Sequence, residues 1–103
     1  MIRVVKKNNI IEISGHANYA EYGKDIVCAS VSSIVTTVVN CIMVLDRDSI
    51  EYQDDGKKIV ITNISDNNNT NLLLNTMFEM LKDLENQYKE NIKVESEEWK
   101  CYI

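Results

Sequence analysis

Ile13-Ser14-Gly15-His16-Ala17-Asn18-Tyr19-Ala20-Glu21-Tyr22-Gly23-Lys24-Asp25-Ile26-Val27-Cys28-Ala29-Ser30-Val31-Ser32 holds the change of period on which the fold turns. Its first residues end a run in which apolar side chains alternate, the pattern of a half-buried strand. Two glycines, Gly15 and Gly23, bracket a polar loop. From Ile26 the chain enters twenty mostly apolar residues, IVCASVSSIVTTVVNCIMVL, too long for one strand, so a helix is expected over 26–45. Strand, loop and helix entrance therefore meet within one short segment.

That junction carries the residues with chemistry. His16, the sole histidine, lies just past the expected strand; Cys28 lies just inside the expected helix, twelve positions on. Attack on a carbonyl needs a thiolate, and a free thiol is mostly protonated at neutral pH. A helix N-terminus carries roughly half a positive charge, and an imidazolium brought close adds another; both favour the anionic sulfur. The same imidazole can protonate a leaving amine. Asp25 has two possible roles: capping the helix through N–H bonds near Cys28, or orienting the imidazole as a third catalytic member. N–H groups at the helix start are candidates for holding an oxyanion. Each residue also has a plainer reading: a cysteine in an apolar helix as core, a loop histidine as surface, an aspartate before a helix as a cap alone.

Gly15-His16-Ala17 followed by Gly23-Lys24-Asp25-Ile26-Val27-Cys28-Ala29-Ser30-Val31-Ser32 resembles the signature of the bacterial ribosomal-processing cysteine protease family. That pattern is Gly-His, a loop, then Asp-x-Val-Cys-Ala-Ala-x-Ser opening a helix. The resemblance is close in this segment and rests elsewhere on length and element order. Ser30 replaces a common Ala, and Glu79 stands where a small residue is expected. The resemblance implies a cysteine endopeptidase that removes a short N-terminal extension from large-subunit ribosomal protein twenty-seven. It places the nucleophile on Cys28, the base on His16 and the family aspartate on Asp25, and it puts Gly15, Ala29 and Ser32 along the substrate. It further implies a homodimer, a mobile loop between His16 and Cys28, and a substrate with apolar and aromatic residues before the cut and a basic tail after it.

Outward from the junction, 103 residues with 45% hydrophobic and 26% charged content suit one globular domain, 1–103. A net charge of −5 disfavours nucleic acid, which calls for a basic patch, and suits a basic peptide. Three cysteines, Cys28, Cys41 and Cys101, without paired spacing fit a reduced, cytoplasmic protein, and with one histidine they make no zinc set. No cofactor motif is visible, and the start carries no signal-peptide pattern. The 26–45 run has the length of a membrane span, but its Ser, Thr and Asn residues favour a central helix buried on most sides, with Cys41 in the core.

Residues 2–7 and 10–14 read as a hairpin turning at Asn8-Asn9, and 49–53 and 58–62 as a second one around Asp54-Asp55-Gly56. Leu73, Met77, Met80, Leu81, Leu84 and Tyr88 recur at helical spacing over about 70–89, and Ile92–Glu95 resumes strand alternation. Tyr19 and Tyr22 read as covers for the core, ahead of packing against substrate, and Trp99 and Tyr102 as packing on the sheet or in a dimer contact. The expected order is β-β-α-β-β-α-β, an α+β sandwich with a mixed or antiparallel sheet and two helices on one face. A non-catalytic ribosome-assembly binding module and a redox-sensing thiol are the competing functions.

Overall fold

The computed structural model describes residues 1–21, 23–65 and 67–97. Its elements are β1 (Ile2–Lys7), β2 (Ile10–Ser14), α1 (Ile26–Asp46), a short 3-10 turn (Arg47–Ser49), β3 (Ile50–Asp54), β4 (Lys58–Asn63), α2 (Asn68–Gln87) and β5 (Ile92–Glu97). The expected order holds throughout. Tyr22, Trp99, Cys101 and Tyr102 lie outside the described residues.

The strands form one sheet in the order β3-β4-β2-β1-β5. All pairings are antiparallel except β1 with β5, which run parallel, so the sheet is mixed. Alternation decides its faces. Ile2, Val4, Ile11, Ile13, Ile61 and Ile92 point into one core. The other face carries Arg3, Lys93 and Glu95, joined by ion pairs of 3.7 and 3.2 Å. Both helices cover the apolar face, giving a two-layer sandwich.

Two turns explain the strand ends. Lys7 pairs with Ile10, so Asn8-Asn9 is a two-residue hairpin loop, and Asn8 takes φ +52° there. Around the second hairpin Asp54 Oδ1 accepts the Gly56 N–H, and Asp55 Oδ1 accepts those of Lys57 and Lys58. Gly56 supplies φ +84°.

α1 buries Val27, Val31, Val35, Val38, Val39 and Ile42, a stripe in which each residue has another three or four positions away. Burial on most sides is therefore corrected to burial on one face. α1 has the sheet on one side and α2 beside it; Val44 and Leu45 stay 85% and 63% exposed. Cys41 falls on that outer side and is exposed, so its expected place in the core is corrected as well. Its neighbour Ile42 is fully buried, and a helix turns by about 100° per residue, which carries the next side chain off the core.

α2 is capped by Asn67, whose side chain accepts the N–H groups of Asn69 and Thr70. It buries Thr70, Leu74, Met77, Phe78 and Leu81. Leu73, Leu84 and Tyr88 pack at the margin, whereas Met80 is 44% exposed, so the buried stripe is rotated from the expected one. The buried Thr70 hydroxyl donates to Ser49 Oγ at 2.9 Å, and Ser49 in turn donates to Asp46 O at 2.8 Å. These bonds tie the start of α2 to the end of α1 without leaving a buried donor unpaired. Glu79 faces solvent and pairs with Lys82 at 3.9 Å.

Candidate active site

β2 ends at Ser14, and the loop leaves the sheet through Gly15 at φ +86°. A Cβ at Gly15 would collide with the Met1 carbonyl oxygen, so only glycine lets this strand end pass the chain start. His16 follows, exposed, and then Ala17, 1% exposed. The loop therefore dips into the core immediately after the histidine.

Asp25 closes the loop. Its Oδ1 accepts the Val27 and Cys28 N–H groups at 3.0 Å each, capping α1. Its Oδ2 accepts those of Tyr19 at 2.9 Å and Ala20 at 3.3 Å. One carboxylate thus joins the helix start to the returning loop. Partial desolvation pushes the Asp25 carboxyl up, but the four N–H bonds outweigh it and hold it below the ordinary carboxylate value. The bonds recorded for Asp25 all run to backbone, so of its two expected roles the cap is the one visible.

Cys28 sits in the first turn of α1, partly buried against the core. Its Sγ accepts the Ala17 N–H at 3.4 Å. The residue after His16 therefore touches the thiol, and the twelve-position loop does fold back on itself. His16 and Cys28 line two clefts together. One, of about 340 Å³, lies between the end of β2, α1 and the second hairpin, with Gly15, Ser32, Thr36, Tyr52, Asp54 and Lys57 among its walls. The other, of about 480 Å³, lies under the loop and includes Asn18, Ala20, Gly23, Asp25, Ala29 and Ser32. His16, Cys28 and Ser32 border both, so the thiol stands where the two clefts meet. Ser32, one helical turn after Cys28, is exposed beside it.

Three of the helix-start N–H groups expected to hold an oxyanion already have partners. Those of Val27 and Cys28 are taken by Asp25 Oδ1, and that of Ala29 by the Asp25 carbonyl at 3.1 Å. Tyr19 is 48% exposed and packs edge-on against Tyr88, with ring centres 5.4 Å apart, which ties the loop to the end of α2.

The second hairpin's share of the site was not anticipated. Tyr52, Asp54, Lys57 and Lys58 read locally only as strand and turn residues. Nothing in their spacing tells that they close a cleft over Cys28. Burial, then the charge and hydrogen bond of Asp54, push the Tyr52 phenol above its ordinary value. Among the described residues no cluster of His, Cys, Asp and Glu could hold a metal ion.

The sequence pattern of the family described as Cysteine protease Prp matches residues 1–93. A ribosomal processing cysteine protease Prp of Staphylococcus aureus is 40% identical over 85 residues, 80% of each chain. Its Bacillus subtilis counterpart is 32% identical over 90 residues, 81% of this chain and 80% of that one. The fold superimposes with a TM-score of 0.83 on a crystal structure of an essential ribosomal processing protease from S. aureus in complex with a covalently linked product peptide. Identity there is 34%, covering 94% of this chain and all of that one.

Proposed function

The chain belongs to the Prp family of cysteine proteases, and we propose that it is a ribosomal processing endopeptidase acting through an acyl-enzyme on Cys28. The carrying observation is the placement of the only imidazole and a helix-entrance thiol at the junction of two clefts. A peptide laid from one cleft to the other crosses the sulfur. The related S. aureus protease has been seen with a covalently linked product peptide, and this reading assigns the same kind of linkage to Cys28.

The reaction runs in two stages. His16 takes the Cys28 proton, and the thiolate attacks the scissile carbonyl carbon. A C–S bond forms, and the C=O pair moves onto oxygen. That pair returns, the C–N bond breaks, and His16 gives its proton to the departing amine. Water, deprotonated by His16, then attacks the thioester and releases the acid and the thiol. Asp25 serves by holding the loop and helix start together. Gly15, Ala29 and Ser32 border the substrate path.

The substrate in this reading is the N-terminal extension of large-subunit ribosomal protein twenty-seven. Support comes from the ribosomal processing activity that names the relatives, and from the net charge of −5, which suits a basic tail beyond the cut. A cytoplasmic homodimer is part of the same proposal; the reduced thiols Cys28 and Cys41 fit it.

A peptide spanning that N-terminus tests it. Wild type should cleave it, Cys28→Ala should yield no product, and His16→Ala should lose about 10²–10⁴-fold. Tight binding by wild type with no product at any time would replace the protease with a binding module.

A further inference from the structure

With the Val27, Cys28 and Ala29 amides of α1 committed to Asp25, a donor closer to the sulfur is the one to look for. The backbone N–H recorded on the thiol is that of Ala17, 3.4 Å from Sγ. We propose that the Ala17 N–H is the oxyanion donor and that Asn91, far away in the sequence, is the positioning residue that aims it. This rests on the protease reading above and adds to it a group and a residue in the turn between α2 and β5.

The geometry is built from both ends. Asn91 Nδ2 donates to the Ala17 carbonyl at 3.0 Å across 74 residues of sequence. Asn91 is itself fixed: its N–H donates to Tyr88 O at 2.9 Å, and its carbonyl accepts the Ile2 N–H at 2.9 Å. Ala17 is buried, Gly15 abuts the Met1 carbonyl, and Asp25 holds the N–H groups of Tyr19 and Ala20. The peptide bearing the Ala17 N–H is therefore clamped before substrate arrives, as a preorganised donor must be. When sulfur attacks, sulfur and oxyanion share one carbon. Negative charge leaves the sulfur as it builds on the oxygen, and a donor already facing the sulfur needs only a short shift to follow it. The Ala17 carbonyl belongs to the peptide after the one that bears the Ala17 N–H, so Asn91 acts on that N–H by fixing the backbone on its far side. Its side chain fits that task because an amide both donates and stays uncharged.

Two variants and two probes test this. In Asn91→Ala, kcat should fall about tenfold with KM within about twofold, the mark of an interaction made in the transition state. A peptide aldehyde carrying the residues that precede the cut forms a hemithioacetal with the thiol; its affinity should fall in step with kcat. Alkylation of Cys28 by iodoacetamide creates no oxyanion and senses the Ala17 N–H only through the thiolate, so it should slow by much less than kcat falls. Asn91→Gln, which keeps the donor, should recover part of the loss. A semisynthetic chain joined at Cys28, with an ester oxygen in place of the Ala17 N–H, reads the donor directly even if Asn91→Ala folds poorly. It should lose about 10²-fold in kcat. Unchanged kcat in the ester protein overturns the inference, as does alkylation slowing in step with kcat in Asn91→Ala. Both results leave a wild type that cleaves, so the protease reading survives them; a wild-type thiol that forms no hemithioacetal overturns both.

Discussion

Gly15 is where a single missing Cβ decides whether the site forms. Its φ of +86° and its contact with the Met1 carbonyl exclude any side chain. Gly15→Ala should cost about 1–3 kcal/mol of stability, read as a lower denaturant midpoint, and should displace His16 beside it. Asp25 carries a different signature. Its carboxyl lies below the ordinary carboxylate value, so its contribution is complete above that ordinary value and is lost as pH falls through the lower folded one. Wild type should lose stability on acidification from about pH 4 downward, with a shallower slope in Asp25→Asn. Thermal melts of the two proteins across that range check the sign. A slope equal in the two proteins would remove Asp25 from the acid response. Cys28, His16 and Asp25 stood out as candidates because their types and order are informative alone, and the structure brings them to one loop and helix entrance. The proposed donor Ala17 and its partner Asn91 did not stand out: a backbone amide carries no side-chain signal, and Asn91 resembles any turn residue.

At the scale of elements, each helix begins on a side chain that accepts two amides, Asp25 for α1 and Asn67 for α2. Asn67 also donates to Asp46 at 3.4 Å, so it links the two helix ends. Asn67→Ala should cost about 1 kcal/mol and leave cleavage unchanged, because Asn67 sits by Asp46 at the opposite end of α1 from Cys28, about 27 Å along the helix. A melting curve with a parallel turnover assay separates the two. Helix and strand periods were readable over most of the chain, and the Asp-Gly turn fell where expected. The helix faces were less legible. In α1 the apolar run is nearly continuous, so hydrophobicity could not tell Ile42, fully buried, from Val44, 85% exposed. In α2 the stripe was displaced because Phe78 and Leu74 supply as much apolar surface as Met80 and are the ones that face the sheet.

For the whole molecule, the site is a meeting of distant segments. The strand end at 13–16, the helix at 28–36 and the hairpin at 52–59 wall one cleft. Tyr52, 39% exposed, offers an aromatic surface there. Tyr52→Ala should raise KM about fivefold, or roughly 1 kcal/mol of binding, with kcat nearly unchanged. Steady-state kinetics on the processing peptide would show it, and a fall in kcat with constant KM would instead place the ring at the reacting atoms. The element order, the single apolar core and the placing of a thiol at a helix entrance after a histidine loop follow from the amino-acid sequence by itself, because periodicity, turn chemistry and capping act over a few neighbouring residues. Folding in three dimensions alone decided the parallel seam between β1 and β5, the outward place of Cys41, the hairpin wall over the thiol and the reach of Asn91 to Ala17. Those contacts depend on how distant segments return to one another, which no local pattern encodes.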